Sequence, residues 1–186
     1  MRILRAAGRT AVPWKNGGGV TREIAVSPAG APVDDFDWRI SLADVRADGP
    51  FSAFPDVDRT LTVVEGAGMD LTVGGEYLRV GERCAPHDFP GDVATAGRLL
   101  EGPVVNLNVM YRRGRVTALT SVLRGALLLP VPADAAVVVV ALDGTTLLGA
   151  DEPVTLDPYD AAVLDRSPGV LRTDGHAAVV TLRVHP

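Results

Sequence analysis

The sequence predicts an all-β fold of short strands. Apolar and polar residues alternate with a period of two, and Gly, Pro and Asp interrupt the alternation at short intervals. No segment sustains the helical period. Strands that recur at intervals of about 8 to 12 residues are typical of sandwiches and barrels. The chain is therefore expected to form one β-sandwich-like or barrel-like body.

The alternation places the strands in order along the chain. The first half predicts strands around residues 38–42, 61–63, 71–73, 78–80 and 105–109. The glycine turns at 66–68 and 74–75 make the second, third and fourth of these a meander. The strand at 105–109 puts Asn106 and Asn108 on one face.

The second half predicts strands around residues 135–142, 145–148, 154–156, 161–164, 170–172 and 177–184. Asp143 and Gly144 predict a two-residue hairpin between the first two of these. Residues 117–123 are expected to hold a short turn. Since no linker interrupts the chain, residues 1–186 are predicted to be a single domain, with a motif-bearing part (1–114) and a second barrel-like part (115–186).

Composition excludes several functional classes. The net charge is −5, and the one basic cluster (Arg112, Arg113 and Arg115) is too short for a phosphate-backbone footprint, so nucleic acid is not an expected partner. No apolar run approaches the roughly 20 residues of a membrane helix, and no signal peptide is visible. Cys84 is the only cysteine, which favours a reducing cytoplasmic location.

The rare residue types mark two places. The chain has seventeen arginines but one lysine, Lys15, and its three asparagines are Asn16, Asn106 and Asn108. In a composition that disfavours Lys and Asn, those that remain are expected where they are hard to replace. They lie in the segment Trp14–Asn16 and in the strand at 105–109.

The segment 13–23 has the strongest chemical character. Gly17, Gly18 and Gly19 allow close approach of the backbone, and successive N–H groups in such a turn can form an anion-binding nest. Lys15 and Arg22 would add positive charge beside it. The alternative is a plain glycine turn with Trp14 in the core, and the spacing alone leaves both open.

A second segment carries aromatic residues in a proline-flanked loop. Phe51 and Ser52 lie between Pro50 and Pro55, shortly before Arg59. Ser52 lacks the context of a nucleophilic serine. An ordinary rigid loop between strands is the simpler interpretation.

The histidines do not predict a metal centre. His87, His176 and His185 are far apart and form no pair at ligand spacing. We therefore expect neither a metal site nor a cofactor.

The motifs, taken in order, resemble the HutD/Ves family. The matching stretches are PWKNGGGVTREIA (13–25), DWRISLADV (37–45), DGPFSAFP and DRTLTVVEGAGM (48–69), FPGD (89–92) and NLNVMYRRG (106–114). The resemblance implies a bicupin, two β-barrels in one chain, and a role linked to histidine utilisation or stress response. Asp56 and Asn106 depart from the family pattern, which puts the charge of the pocket in question.

Together these observations predict a non-enzymatic binding or regulatory protein for a small anionic metabolite, such as a urocanate-like or formylglutamate-like carboxylate. The predicted ligand-binding residues are Trp14, Lys15, Asn16, Gly17, Gly18, Gly19, Arg22, Phe51, Ser52, Arg59, Asn108 and Met110. Arg59 is interpreted either as a second anion contact or as part of a structural ion pair. The alternative function is a metal-independent isomerase or hydrolase with Lys15 or Glu23 as acid or base. Nothing in the sequence specifies oligomeric state, although the apolar second half leaves room for a homodimer.

Overall fold

A computed structural model describes residues 1–164 and 169–185, and these residues are almost entirely β-structure. One short 3-10 helix spans Ala6–Gly8. The strands are β1 (Arg2–Leu4), β2 (Ala11–Pro13), β3 (Gly19–Ser27), β4 (Trp38–Val45), β5 (Gly49–Pro50), β6 (Val57–Glu65), β7 (Met69–Val73), β8 (Glu76–Val80), β9 (Pro86–Pro90), β10 (Thr95–Leu99), β11 (Val104–Arg112), β12 (Val116–Leu129), β13 (Ala135–Ala141), β14 (Thr146–Leu148), β15 (Val154–Leu156), β16 (Ala161–Leu164) and β17 (Gly169–Val184). The predicted all-β class is confirmed.

The chain divides into two compact units. The central unit is Thr10–Val116, and the terminal unit joins Met1–Arg9 to Thr117–Pro186. The first nine residues thus belong with the C-terminal half, because β1 pairs with β16. Nothing in the local pattern of nine residues indicates so distant a partner.

The central unit consists of two antiparallel sheets. The larger sheet has the strand order β2-β3-β4-β11-β6-β9, and the smaller has the order β5-β10-β7-β8. Apolar side chains of both sheets form one core, including Val45, Leu61 and Val63 from the larger and Met69 and Leu71 from the smaller. The face of the larger sheet that carries these core residues is called the inner face below.

Alternation predicted five strands of this unit (β4, β6, β7, β8 and β11) and missed the other five, β2, β3, β5, β9 and β10. Asn106 and Asn108 lie on one face of β11, as expected. The predicted three-strand meander is wrong: β7 and β8 pair, but β6 pairs with β9 and β11 in the other sheet. A glycine turn reverses the chain, but it does not decide whether the next strand joins the same sheet.

The terminal unit corrects three further predictions. Strands β13 and β14 do not form a hairpin across Asp143 and Gly144, because each pairs with β17. The two strands predicted at 170–172 and 177–184 are one strand of 16 residues, which is long enough to serve both partners. The predicted turn at 117–123 lies inside β12, also a strand.

Asp160 links Arg5 and Ala6, near the N-terminus, to the rest of the terminal unit through hydrogen bonds. Its buried carboxylate accepts hydrogen bonds from the Ala6 N–H at 2.6 Å and from the Arg5 guanidinium at 2.6 Å. Burial raises the pKa of Asp160, but the bonds from Ala6 and Arg5 outweigh it, so the net pKa lies below the ordinary 3.8. The charged form is therefore favoured by the fold.

Replacing Asp160 by asparagine is expected to lower the free energy of unfolding by about 1–3 kcal/mol at pH 7, since a charge-assisted buried network is lost. A carboxylate whose folded pKa is depressed stabilises the protein above pH 3.8 and loses that effect as pH falls through the folded pKa. Denaturant unfolding at pH 7 and near pH 3 measures both values. The difference between wild type and variant should shrink at the lower pH, and an equal difference at both would contradict the assignment. Asp134→Asn, at an exposed carboxylate, is the control.

Candidate functional site

The inner face of the larger sheet carries a group of polar side chains that the strand pairing brings together. Residues paired across antiparallel strands point to the same face. One row across the sheet is Val26, Arg39, Met110, Arg59 and Phe89, and the neighbouring row is Glu23, Ser41, Asn108, Leu61 and His87. We call Glu23, Arg39, Ser41, Arg59 and Asn108 the inner polar patch.

Arg59 is the central group of this patch. Its side chain is buried, with a residual exposure of 7%. Three rings surround the guanidinium carbon, with centroids at 5.1 Å (Phe51), 5.8 Å (Phe54) and 5.2 Å (Phe89). Such cation–π contacts stabilise a desolvated guanidinium, although less than water or a carboxylate would.

The guanidinium of Arg59 has unused hydrogen-bonding capacity. Its Nε and Nη2 groups donate to one oxygen, Oδ1 of Asn108, at 3.4 and 3.2 Å. Within residues 1–164 and 169–185 no carboxylate lies within 4 Å of it, and its Nη1 makes no hydrogen bond. Burial lowers the pKa of Arg59 to about 10, which leaves it cationic at neutral pH. A buried cation without a counter-charge is a candidate anion site.

Two glycines make room for this arrangement. A side chain at Gly91 would come within 2.7 Å of the Val57 carbonyl oxygen and 3.2 Å of the Arg59 methylenes. One at Gly97 would come within 2.9 Å of the Phe51 ring. Both positions therefore need glycine for the Phe51 ring and the Arg59 side chain to occupy their places.

Glu23 and Arg39 complete the patch. They form an ion pair at 3.0 Å, with 39% and 18% of their side chains exposed. Ser41, which is buried, lies in register between Glu23 and Asn108. The patch thus holds two guanidinium groups and one carboxylate, and the excess positive charge favours an anionic ligand.

The glycine run lies in a different place, at the turn into β3. The Gly17 N–H donates to the Trp14 carbonyl at 3.0 Å, and the Gly18 N–H donates to Oδ1 of Asn16 at 3.0 Å. Two of the N–H groups expected to form an anion nest are therefore already satisfied within the turn. Gly17 has φ +72, which favours glycine, and Gly19 lies against the backbone of Asp44.

The structure separates the predicted binding residues into distinct groups. Phe51, Arg59, Asn108 and Met110 come together on or above the inner face. Lys15 and Asn16 are exposed in the turn, and Ser52 is exposed in its loop.

Two further predicted residues lie on strand β3 or beside it. Arg22 points away from Glu23 and Thr21 and pairs with Asp44 at 2.6 Å. Trp14 packs against the core, and its indole N–H donates to the Thr21 hydroxyl at 2.8 Å. Neither lies beside Arg59 in the register of the sheet. Their roles in binding stay predictions.

The sequence reasoning missed several members of the site. Arg39 and Ser41 lie within the strand predicted at 38–42, but the sequence analysis gave them no function. The signal that could have identified them is the polar alternation of one strand facing that of β11, which becomes informative only when the two strands are known to pair. Phe54 and Phe89 give no sign in sequence that they surround Arg59.

A small concave region lies beside Phe51, one of the three rings around Arg59. This region, lined by Trp14, Asn16, Val45, Phe51 and Met69, holds only about 10 Å³, enough for one water molecule. A metabolite entering at this end would have to displace side chains. Phe51 and Trp14, which line this concave region, are the side chains that would have to move.

Clusters of metal-ligating side chains and long apolar helices are the marks of two other functional classes. In the described part of the chain, His, Cys, Asp and Glu side chains nowhere gather in groups of three with the spacing to hold a metal ion. Nor does any helix there have the length and apolar character needed to span a bilayer.

Several known proteins are similar to this chain in sequence. An uncharacterised 21.2 kDa protein in the hutC 3′ region of Pseudomonas putida is 38% identical over 121 residues, which are 63% of this chain and 62% of the relative. Protein Ves of Cronobacter sakazakii is 37% identical over 106 residues, 56% of this chain and 57% of the relative. The chain thus spans about three fifths of the length of the curated relatives it matches.

Solved structures match over the whole chain. HutD from Pseudomonas fluorescens SBW25 (formate condition) superposes with a TM-score of 0.87 and 30% identity, over 100% of this chain and 99% of that one. A cupin 2 conserved barrel domain protein from Leptotrichia buccalis, at 13% identity and a TM-score of 0.59 over 94% and 92% of the two chains, shares the fold alone. The HutD family model matches residues 6–181. The chain belongs to the HutD family.

Proposed function

We propose that this protein binds a small carboxylate metabolite, with the carboxylate group held by Arg59 and Asn108. The observation that carries the proposal is the buried guanidinium of Arg59, which has free donors and no carboxylate partner among the described residues. We further propose a bicupin architecture, supported by two units that each have antiparallel sheets and a core.

A carboxylate suits the geometry of the site. Guanidinium presents its donors as a planar fork that matches the two oxygens of a carboxylate, and burial strengthens the pairing. The Asn108 side chain, which already contacts Arg59 through Oδ1, also has an amide donor. The aromatic rings exclude water, so the anion would replace the hydration that the guanidinium has lost.

The proposed pathway is histidine utilisation. The Pseudomonas putida relative is named by its position beside hutC, and a structure neighbour is named HutD. Intermediates of histidine degradation are small carboxylates, which agrees with the chemistry of Arg59. The proposed role is binding or regulatory, and the groups around the buried Arg59 guanidinium, which could recognise an anion, support it.

The test is thermal unfolding with urocanate, N-formylglutamate and formate, compared with chloride at equal ionic strength. A ligand at about 100 times its Kd should stabilise the native state by roughly 2.7 kcal/mol. Two variants locate the site: Arg59→Met should abolish the response, and Lys15→Met should preserve most of it. Loss in Lys15→Met alone would move the site to the glycine turn, and no response to any carboxylate would refute the proposal.

A metal-independent enzyme is the second candidate, and the Glu23–Arg39 pair within the patch is the observation that favours it. Glu23 is better placed than Lys15 to act as acid or base, because it lies in register with Ser41 and Asn108. Glu23→Gln should then retain binding and lose turnover of the compound found above. A compound that binds and is recovered unchanged from the wild-type protein decides for binding alone.

A further inference from the structure

Two buried polar side chains of the inner face have no hydrogen-bond partner in the protein. Asn106 is 2% exposed and Ser41 is 3% exposed. Within residues 1–164 and 169–185, the Asn106 amide and the Ser41 hydroxyl neither donate nor accept a side-chain hydrogen bond. Buried polar side chains are normally hydrogen-bonded, so these two call for a partner outside the chain, either water or a ligand.

Both side chains lie beside the proposed carboxylate contact. Ser41 is opposite Asn108 on the neighbouring strand β4, and Asn106 precedes Asn108 by two residues on the same face of β11. Two residues along a strand correspond to about 7 Å. A molecule whose carboxylate is held by Arg59 and Asn108 would therefore meet its next polar contact, Asn106, about 7 Å away.

The surroundings of Asn106 select an uncharged group. Its neighbours in register are Ala43 on β4 and Val63 on β6, and the next pair on this face is Val45 and Val104. A charged ligand group among these apolar side chains would lose its hydration without gaining a counter-charge. The Asn106 side chain itself offers two N–H donors and one acceptor oxygen, which match those of a second amide.

The order of the rows gives the ligand a direction. The concave region beside Phe51 is lined by Val45, and the next two residues on this face of β4 are the small Ala43 and Ser41. Ala43 is opposite Asn106, and Ser41 is opposite Asn108. A molecule that enters there with its carboxylate foremost would bring the carboxylate to Asn108 and leave its other end at Asn106.

We infer that the ligand is a monocarboxylate that carries an uncharged amide at its other end, and that Asn106 exchanges hydrogen bonds with this amide. The inference rests on the carboxylate site proposed above and adds the second contact. A chain of about three carbon atoms between the carboxylate and the amide spans the distance along β11. Asn106 is then the residue that determines specificity at the end of the ligand remote from Arg59.

The test is isothermal titration calorimetry of the full chain with four compounds of equal chain length. These are glutaramate, which ends in an amide, pentanoate, which ends in a methyl group, glutarate, which ends in a second carboxylate, and δ-aminovalerate, which ends in an ammonium group. Glutaramate should bind at least about 10-fold more tightly than pentanoate, because its amide can exchange two hydrogen bonds with Asn106. Glutarate and δ-aminovalerate should bind no more tightly than pentanoate, because each brings a second charge to an apolar place.

Variants at Asn106 locate the amide contact. Asn106→Leu should lower the affinity for glutaramate to that for pentanoate and leave the affinity for pentanoate unchanged. Asn106→Ala gives the same readout without the bulk of leucine, and cooperative unfolding verifies that each variant is folded. The matched control is Thr173→Val, which removes a buried, hydrogen-bonded hydroxyl of the terminal unit and should leave both affinities unchanged.

The outcomes separate this inference from the proposed function. Equal affinity of the wild type for glutaramate and pentanoate would overturn the inference and leave the carboxylate site standing, with water as the partner of Asn106. A preference for glutaramate that survives in both Asn106 variants would also overturn it. If pentanoate and glutaramate both fail to bind, or bind equally well to Arg59→Met, the proposed function fails and this inference fails with it.

Discussion

Methionine in place of Arg59 is expected to raise the free energy of unfolding of the ligand-free protein by about 2 kcal/mol. Burial lowers the pKa of Arg59 from its ordinary value to about 10, and at about 1.36 kcal/mol per unit the charged form costs the fold about 3 kcal/mol. Loss of the hydrogen bond to Asn108 lowers the stability of the variant by about 1 kcal/mol, so the net gain is about 2 kcal/mol. Replacement of a buried charge by an apolar side chain of similar size is often stabilising.

The sign of this effect follows from the direction of the shift. A cation whose pKa is lowered in the fold destabilises the native state at every pH below about 10, and the penalty is relieved as pH rises from about 10 toward the ordinary pKa of arginine. Stability at pH 7 should therefore increase in the variant while the response to carboxylates disappears. This pairing of greater stability with lost function is typical of residues kept for binding.

Denaturant unfolding at pH 7, without and with a carboxylate, measures both parts of the prediction. Arg113→Met is the matched control, because Arg113 is about half exposed and is paired with Asp58 and Asp92. Its replacement should not raise stability. If Arg59→Met instead lowers stability by about 2 kcal/mol, the guanidinium is a structural element of the aromatic cluster, and the site proposal fails.

Alanine at Gly19 is expected to lower the free energy of unfolding by about 3 kcal/mol or more. A methyl group there would collide with the Asp44 carbonyl oxygen, which belongs to the neighbouring strand β4, and would press on the Trp14 ring. Relief requires separating β3 from β4 at the start of their ladder, and overpacking of this kind typically costs about 1–3 kcal/mol, occasionally more.

Gly18→Ala is the control, since its nearest neighbour is Oδ1 of the exposed Asn16 side chain at 3.4 Å. Its cost should stay below about 1 kcal/mol, as measured by urea unfolding beside Gly19→Ala. Equal stability of both variants, with carboxylate binding lost in Gly19→Ala alone, would show that the glycine run serves the ligand rather than the strand.

The glycine run Gly17–Gly19, which the sequence suggests is a ligand-binding turn, has a largely structural role in the fold. Three glycines after Trp14, Lys15 and Asn16 suggest a ligand turn, because glycine runs and rare polar residues often mark one. In the structure, the Gly17 and Gly18 N–H groups are bonded within the turn and Gly19 permits close strand contact. Local composition indicates that the backbone is unusual here, but it does not say whether a ligand or a neighbouring strand requires it.

The amino-acid sequence determined many of the strand positions, the shared face of Asn106 and Asn108, and the family motifs, because alternation and motif spacing are properties of neighbouring residues. Tertiary structure decided which strands pair and which side chains meet. Phe51 and Phe89, which surround the Arg59 guanidinium, lie 8 and 30 residues away from it in the sequence. Arg39 forms its ion pair with Glu23 only because strands β3 and β4 pair. Burial and desolvation arise from contacts between residues that are distant in sequence. The burial of Arg59 among aromatic rings without a counter-charge therefore could not be predicted before the strand pairing was known.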